Sequence, residues 1–284
     1  MRNESQTNRL LGYPADARLL IVNADDFGMC HAVNTAVINA LPAGILRSTT
    51  LMVPCPWALH AIHFLQEHPE LSFGVHLTAV SEWVDYRWGP STPREKVPSL
   101  VNKAGYFYNF EQMPYFLAQA NLAELELEFR AQIEAVLAAG LKPSHLDWHC
   151  LRLGGREDIL ALLFRLAREY GLALRVMGYS WIEMVQSQGL PTNDYDFLDS
   201  YLLDPVTKAS RYVALLRELP IGLSEWAIHP GLDSAELRAI DRGGSHIRQT
   251  DFDFLTSPQA KEVIAAEGII LLDYRALQAV WWEK

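Results

Sequence analysis

Asp25 and Asp26 stand side by side directly behind the apolar run Leu19 to Val22, and Gly28 follows closely. Adjacent carboxylates repel each other and desolvate poorly, so a fold accepts them at the end of a buried strand where a cation or a proton offsets their charge. An isolated Asp-Asp pair is otherwise a helix cap and a solvated turn residue. Its meaning therefore depends on what else reaches the same place. His76 closes the stretch Gly74-Val75-His76-Leu77, His229 opens His229-Pro230-Gly231, and His145, Asp147 and His149 recur at every second position of Pro143 to His149. Period-two spacing puts that last trio on one face of a strand. His149 lies nearest the strand's end, and His145 and Asp147 lie deeper, where they suit a shell that orients ligands. Two histidines and a carboxylate from three strands, His76, His149 and Asp26, make a divalent-cation site with open positions. That donor set favours Zn²⁺ and is compatible with Mg²⁺, Mn²⁺, Co²⁺ or Ni²⁺. Spacing alone does not say which of the two aspartates binds the cation. His60, His63 and His68 fall on or just past a helix and read as structural or surface residues, and His246 falls in a loop.

These residues need a scaffold that brings strand ends together, and the hydrophobic pattern supplies one. Strands are predicted at 19–22, 48–53, 71–78, 143–149, 172–177, 197–203, 223–228 and 269–272. Helical stripes lie between them, among them Leu122, Leu125, Phe129, Ile133 and Val136. Ser257-Pro258 marks a helix start. The expected fold is α/β, a single deformed (β/α) barrel of seven or eight strands over residues 18–284, behind a flexible lead-in at 1–17. An open doubly wound sheet is the alternative, but no Gly-x-Gly-x-x-Gly follows the first strand. In a barrel the site lies at the C-terminal ends of the strands, which is where Asp25, Asp26, His76, His149 and His229 fall. The alternation pauses at about 81–115, in an aromatic-rich insertion carrying Trp83, Tyr86, Trp88, Tyr106, Phe107, Tyr108 and Phe110. It reads equally as a lid or as a second small core.

Composition narrows the function classes. The chain has 284 residues, half of them hydrophobic, with a formal net charge of −10, which disfavours a broad nucleic-acid or anionic-membrane surface. No apolar run approaches a membrane span. The three cysteines form no Cys-x-x-Cys pair and read as reduced thiols. With a polar N-terminus, the expected location is the cytoplasm.

Taken together, Asn23-Ala24-Asp25-Asp26-Phe27-Gly28, Gly74-Val75-His76-Leu77, Pro143-Ser144-His145-Leu146-Asp147-Trp148-His149 and His229-Pro230-Gly231 resemble the YdjC-like carbohydrate deacetylases, a family that includes chitooligosaccharide deacetylases. The likeness runs from about residue 18 to 275. It implies a barrel of the glycoside hydrolase/deacetylase type and metal-dependent removal of an N-acetyl group from an amino sugar. By matching positions it implies Asp26, His76 and His149 as ligands of one divalent ion, Zn²⁺ or Mg²⁺. It further implies Asp25 as general base and His229 as general acid. Two departures stand at the mouth of the site. Cys150-Leu151-Arg152-Leu153 continues where the family often has further histidines, and Trp148 replaces a usually small residue. Trp83, Trp88 and Trp148 are candidates to stack on a sugar ring. Arg152, Arg238, Arg242 and Arg248 are candidates to bind hydroxyls or an anionic group, Arg152 and Arg248 first. Expected partners are an acetylated carbohydrate and, as an open option, a second copy of the chain in a homodimer. A non-haem Fe(II) oxygenase and a catalytically silent sugar-binding barrel are the competing readings.

Overall fold

The computed structural model describes residues 4–150 and 156–282. Its strands are β1 (Arg18–Phe27), β2 (Ser48–Leu51), β3 (Ser72–Leu77), β4 (His145–Trp148), β5 (Ala173–Leu174), β6 (Leu198–Asp199), β7 (Gly222–Ile228) and β8 (Ile270–Leu272). The longer helices around them include α1 (Gln6–Leu10), α2 (His31–Ala43), α3 (Ala58–Glu67), α4 (Met113–Gln119), α5 (Leu122–Ala138) and α6 (Glu157–Tyr170). They continue with α7 (Tyr179–Ser187), α8 (Lys208–Arg217), α9 (Ala235–Ile240), α10 (Ser245–Thr256), α11 (Pro258–Ala266) and α12 (Arg275–Trp282).

All strand pairs are parallel, in the order β5-β4-β3-β2-β1-β7-β6, with β8 joining β1 from outside that path. β1 is central because it is apolar throughout its first half. Leu19 to Val22 are at most 1% exposed, as expected of a parallel strand covered on both faces. Its lower half pairs with β7 and β8 and its upper half with β7 and β2.

The barrel is deformed because β5 and β6, the two ends of the path, are not laddered to each other among the described residues. Residues 192–195 fill the seam. Asn193 exchanges side-chain hydrogen bonds with the Val176 backbone, and Asp194, alongside β7, donates its backbone N–H to the Leu223 carbonyl and accepts the Leu223 N–H on Oδ2.

The N-terminal residues differ from the loose lead-in expected at 1–17. Ser5, Thr7 and Asn8 are buried. Ser5 Oγ donates to Asp194 Oδ2 at 2.6 Å and Thr7 Oγ1 to the Thr192 carbonyl at 2.7 Å, so α1 docks against the seam. Polar residues that read as solvated serve here as partners for buried polar groups.

The aromatic insertion is mainly a packing element. Trp88 and Phe107 are 3% and 0% exposed, and Glu128 of α5 accepts the Ser91 and Thr92 backbone N–H groups. Its rim is different: Glu82, Trp83 and Phe110 line a cavity at the C-terminal end of the sheet.

Candidate active site

That cavity has a volume of about 520 Å³ and is walled by Asp25, Asp26, His76, His149, Arg175 and His229, among others. Successive residues of a strand point to opposite faces, so two adjacent acids should not share one wall. They do here because β1 carries a bulge. Between the pairs Ala24–Thr49 and Phe27–Leu51 the chain has an extra residue, and Asp26 takes the left-handed conformation at φ 69°. Such a backbone is costly for a non-glycine residue and concentrates at functional sites.

Asp26 divides its carboxylate. Oδ2 accepts from Arg248 Nη2 at 2.7 Å. Oδ1 has no hydrogen-bond partner of acceptable geometry, although His149 Nδ1 lies 3.2 Å and His76 Nε2 3.5 Å away. Both histidines engage a carboxylate with the other ring nitrogen: His76 Nδ1 lies 2.6 Å from Asp147 Oδ1, and His149 Nε2 lies 3.0 Å from Glu82 Oε2. Carboxylates on the outer nitrogens favour lone pairs on the inner ones. The inner nitrogens converge on an orphaned, buried oxygen, and all three donor atoms lie within 4.8 Å of one another. The residues present therefore fit a divalent cation. Burial disfavours the His76 cation, yet the charge of Asp147 and its bond, with Asp26 and Asp25, push the imidazole up to about 9.

Asp25 is held differently. Arg175 donates to its Oδ2 and Oδ1 at 2.7 and 2.8 Å, and Asn23 donates to Oδ1 at 2.8 Å. Burial alone would raise this carboxyl, but the Arg175 charge and bonds, with His76 and His229 nearby, hold it well below the usual carboxylate range. Arg175 also lies 2.7 Å from Asp147 Oδ2 and donates to Glu225 Oε1 at 2.5 Å. Asp25, His76 and Asp147 also cluster closely, but the guanidinium already supplies the cation there.

His229 Nε2 lies 3.9 Å from Asp25 Oδ2. Its Nδ1 is 2.8 Å from Ser200 Oγ, which donates to Asp251 Oδ2 at 2.7 Å, and Asp251 also accepts the His229 backbone N–H. Because the Ser200 hydrogen goes to Asp251, Ser200 accepts from Nδ1, and Nε2 faces the cavity. Ser200 reaches this position because the strand expected at 197–203 stops at β6 and turns into a short 3₁₀ segment.

Of the sequence-predicted residues, Asp25, Asp26, His76, His149, Asp147 and His229 come together. His145 does not orient a ligand as expected. Its ring stacks on Tyr274 at 3.6 Å and bonds Ser144, below the site, in space that a side chain at Gly74 would fill. Trp83 lines the cavity, whereas Trp148 is buried and its ring packs edge-on against Phe129 of α5, so it does not present a face to a sugar. Trp88 does not reach a substrate: it is buried, and its indole N–H donates to the Val80 carbonyl. Arg248 is at the site, but one nitrogen is committed to Asp26, and Gly231 leaves room for its side chain, since a Cβ there would meet Arg248 Cβ at 3.0 Å. Exposed Arg238 pairs with half-buried Asp233 and Arg242 is exposed, both away from the cavity lining. Arg152 lies outside the described residues. Sequence reasoning missed Arg175, Glu225 and Glu82. The first two carried a signal, each a charge inside an otherwise apolar strand segment.

A family model described as YdjC-like protein matches residues 19–266, and the chain belongs to that family. A carbohydrate deacetylase of Enterococcus faecalis V583 is 32% identical over 265 residues, spanning 91% of this chain and 97% of the relative. One from Geobacillus stearothermophilus is 31% identical over 261 residues, spanning 91% and 97%. A solved structure from Enterococcus faecalis V583, named as a candidate cellobiose-phosphate cleavage protein, matches with a TM-score of 0.80 at 32% identity, covering 92% of this chain and 99% of its own. A mutant CE4-family pseudoenzyme with restored enzymatic activity matches at a TM-score of 0.50 and 9% identity, covering 93% of this chain and 68% of its own, a likeness of fold alone.

Proposed function

We propose that this protein is a metal-dependent carbohydrate deacetylase that hydrolyses the acetamide of an N-acetyl amino sugar. The observation that carries the reading is the orphaned Asp26 Oδ1 facing His76 Nε2 and His149 Nδ1, with Asp25 and His229 on the same cavity wall. The carbohydrate deacetylase relatives supply the substrate class.

Asp26, His76 and His149 would hold the ion, Zn²⁺ or Mg²⁺. When bound, such an ion supplies Lewis-acid polarisation of the amide carbonyl and acidifies water. Asp25 stays ionised beside Arg175, so it is always in the proton-accepting form. The same arginine makes it a weak base, suited to taking a proton only from an acidified water. His229 presents Nε2 and, as the imidazolium with a proton on each nitrogen, would give the Nε2 proton to the departing amine and return to the Nδ1–H neutral form that Ser200 and Asp251 hold. Trp83 offers apolar surface to the sugar ring, and the unpartnered Nη1 of Arg248 offers a donor to a hydroxyl.

The test is acetate release from a panel of acetylated amino sugars after chelation and re-addition of Zn²⁺ or Mg²⁺. Asp25→Asn should lower turnover by about 10²–10⁴-fold with the ion still bound, and His149→Ala should lose the ion. Unchanged turnover in the first variant rules out Asp25 as the base, and full metal occupancy in the second rules out the ligand set.

A further inference from the structure

His149 has two faces, and only the inner one is used above. On the outer side, Glu82, His149 and Cys150 bring a carboxylate oxygen, an imidazole nitrogen and a sulfur within 4.8 Å of one another. Glu82 Oε2 lies 3.0 Å and Cys150 Sγ 3.4 Å from the same atom, His149 Nε2. Cys150 sits at φ 54°, and its sulfur lies beside the ring of the residue that precedes it. Glu82 and Cys150 are half-buried, whereas the inner trio is fully buried, so the outer group lies on the solvent side of His149. One thiolate, one imidazole and one carboxylate form a donor set for Zn²⁺ or Cd²⁺, whereas Mg²⁺ prefers oxygen alone.

We propose that Glu82, His149 and Cys150 form a second cation site for thiophilic ions, and that its occupation turns the inner site off because both sites claim His149. The consequence for the inner site rests on the assignment of Asp26, His76 and His149 above; the outer site itself does not. In the inner state His149 offers the Nδ1 lone pair and keeps its proton on Nε2, toward Glu82. An outer cation takes the Nε2 lone pair, and the thiol of Cys150 releases its proton to solvent as the sulfur binds. The ring proton then resides on Nδ1, 3.2 Å from Asp26 Oδ1, and the inner set has lost a donor. An oxygen-preferring ion has no reason to enter the outer group, so Mg²⁺ or Mn²⁺ serves the inner set alone, whereas Zn²⁺ fits both sets and inhibits only in excess, and Cd²⁺ inhibits through the outer group.

The whole protein, loaded with Mn²⁺, is titrated with Cd²⁺ while thiolate-to-cadmium absorption and the paramagnetic resonance of free Mn²⁺ are followed. Wild type should show a thiolate band saturating at one ion per chain and should release its Mn²⁺ in step. Cys150→Ser should lose the band, bind Cd²⁺ at least about tenfold more weakly and retain Mn²⁺. His76→Ala, which lacks an inner ligand, should keep the band. A band that persists in Cys150→Ser overturns the site. Full Mn²⁺ retention beside a saturated band, or equal Mn²⁺ release from Cys150→Ser, overturns the exclusion. A wild type that binds no Mn²⁺ yet shows the Cys150-dependent band places the error in the inner assignment and supports the outer site.

Discussion

Two arginine–carboxylate networks in this molecule have similar contact geometry and opposite surroundings. On the outer faces of α5 and α6, Arg165 and Arg130 pair with Glu126 at 2.6 and 2.8 Å, and both also contact Glu169. At the cavity, Arg175 lies 2.7 Å from both Asp25 and Asp147 and donates to Glu225 at 2.5 Å, and Arg248 lies 2.7 Å from Asp26. The Arg165 side chain is 45% exposed and that of Arg175 is 3% exposed. Exposed pairs of this kind contribute about 0–1 kcal/mol, because water already solvates both partners. In the buried network desolvation costs several kcal/mol per ion and is offset only while every charge keeps its partner. Contact distance therefore says little about what a pair contributes; what remains after one partner is removed says more. The buried network fixes Asp25 and His76 on the cavity wall, and the surface one joins two helices.

Substituting members of each network in turn tests that contrast. Arg175→Met strands three buried carboxylates and should cost about 3–5 kcal/mol of unfolding free energy, read by urea denaturation, with acetate release lost as well; a cost under about 1 kcal/mol would place this network with the surface kind. Arg248→Met should destabilise the metal-free protein by about 2–3 kcal/mol, since buried Asp26 and Asp241 both lose their arginine. The same change frees Asp26 Oδ2 and removes a positive charge beside the inner set, so Zn²⁺ should bind about tenfold tighter and raise the melting temperature more than in wild type. Weaker binding, measured by calorimetry, would make Arg248 only a packing residue. Glu225→Gln should cost no more than about 1–2 kcal/mol. Burial pushes this carboxyl up despite Arg175, so the loss of its charge relieves a desolvation cost that offsets part of the lost pairing. Glu126→Gln should cost less than about 1 kcal/mol, and less still in high salt. Hydrogen bonds from Arg165, then Arg130, lower Glu126 to about 2 against burial. A depressed carboxyl contributes stability that is full above its unfolded value, about 4.3, and fades as pH falls toward 2. The acid-unfolding difference between wild type and Glu126→Gln should therefore close across that window.

Much of the site was legible because its polar residues stand where apolar runs stop. Asp25-Asp26 behind Leu19–Val22, His76 behind Phe73–Val75 and His149 behind Leu146 each mark a strand leaving the core. The illegible part consists of contacts between residues far apart in sequence. Arg175 and Asp25 meet across 150 positions and Arg248 and Asp26 across 222, and no local pattern encodes those meetings. His145 shows the converse error. It shares the strand face and the period of Asp147 and His149, yet Tyr274, from beyond the last strand, captures its ring. Trp88 reads as a candidate to stack on a sugar because an aromatic in a long loop carries no sign of the core that packs it away.

By itself the sequence determined the α/β alternation, the sheet whose strand ends face one way, and the donor types gathered there, because periodicity and residue chemistry are local properties. Only the tertiary structure decided which partners surround each of the two aspartates. A one-residue bulge turns Asp26 onto the cavity wall beside Asp25. Arg248 then leaves one Asp26 oxygen open toward His76 and His149, and Arg175 ties down Asp25. Those choices are made by the register between neighbouring strands and by buried charges that must each find a partner, and neither exists until the chain has closed on itself.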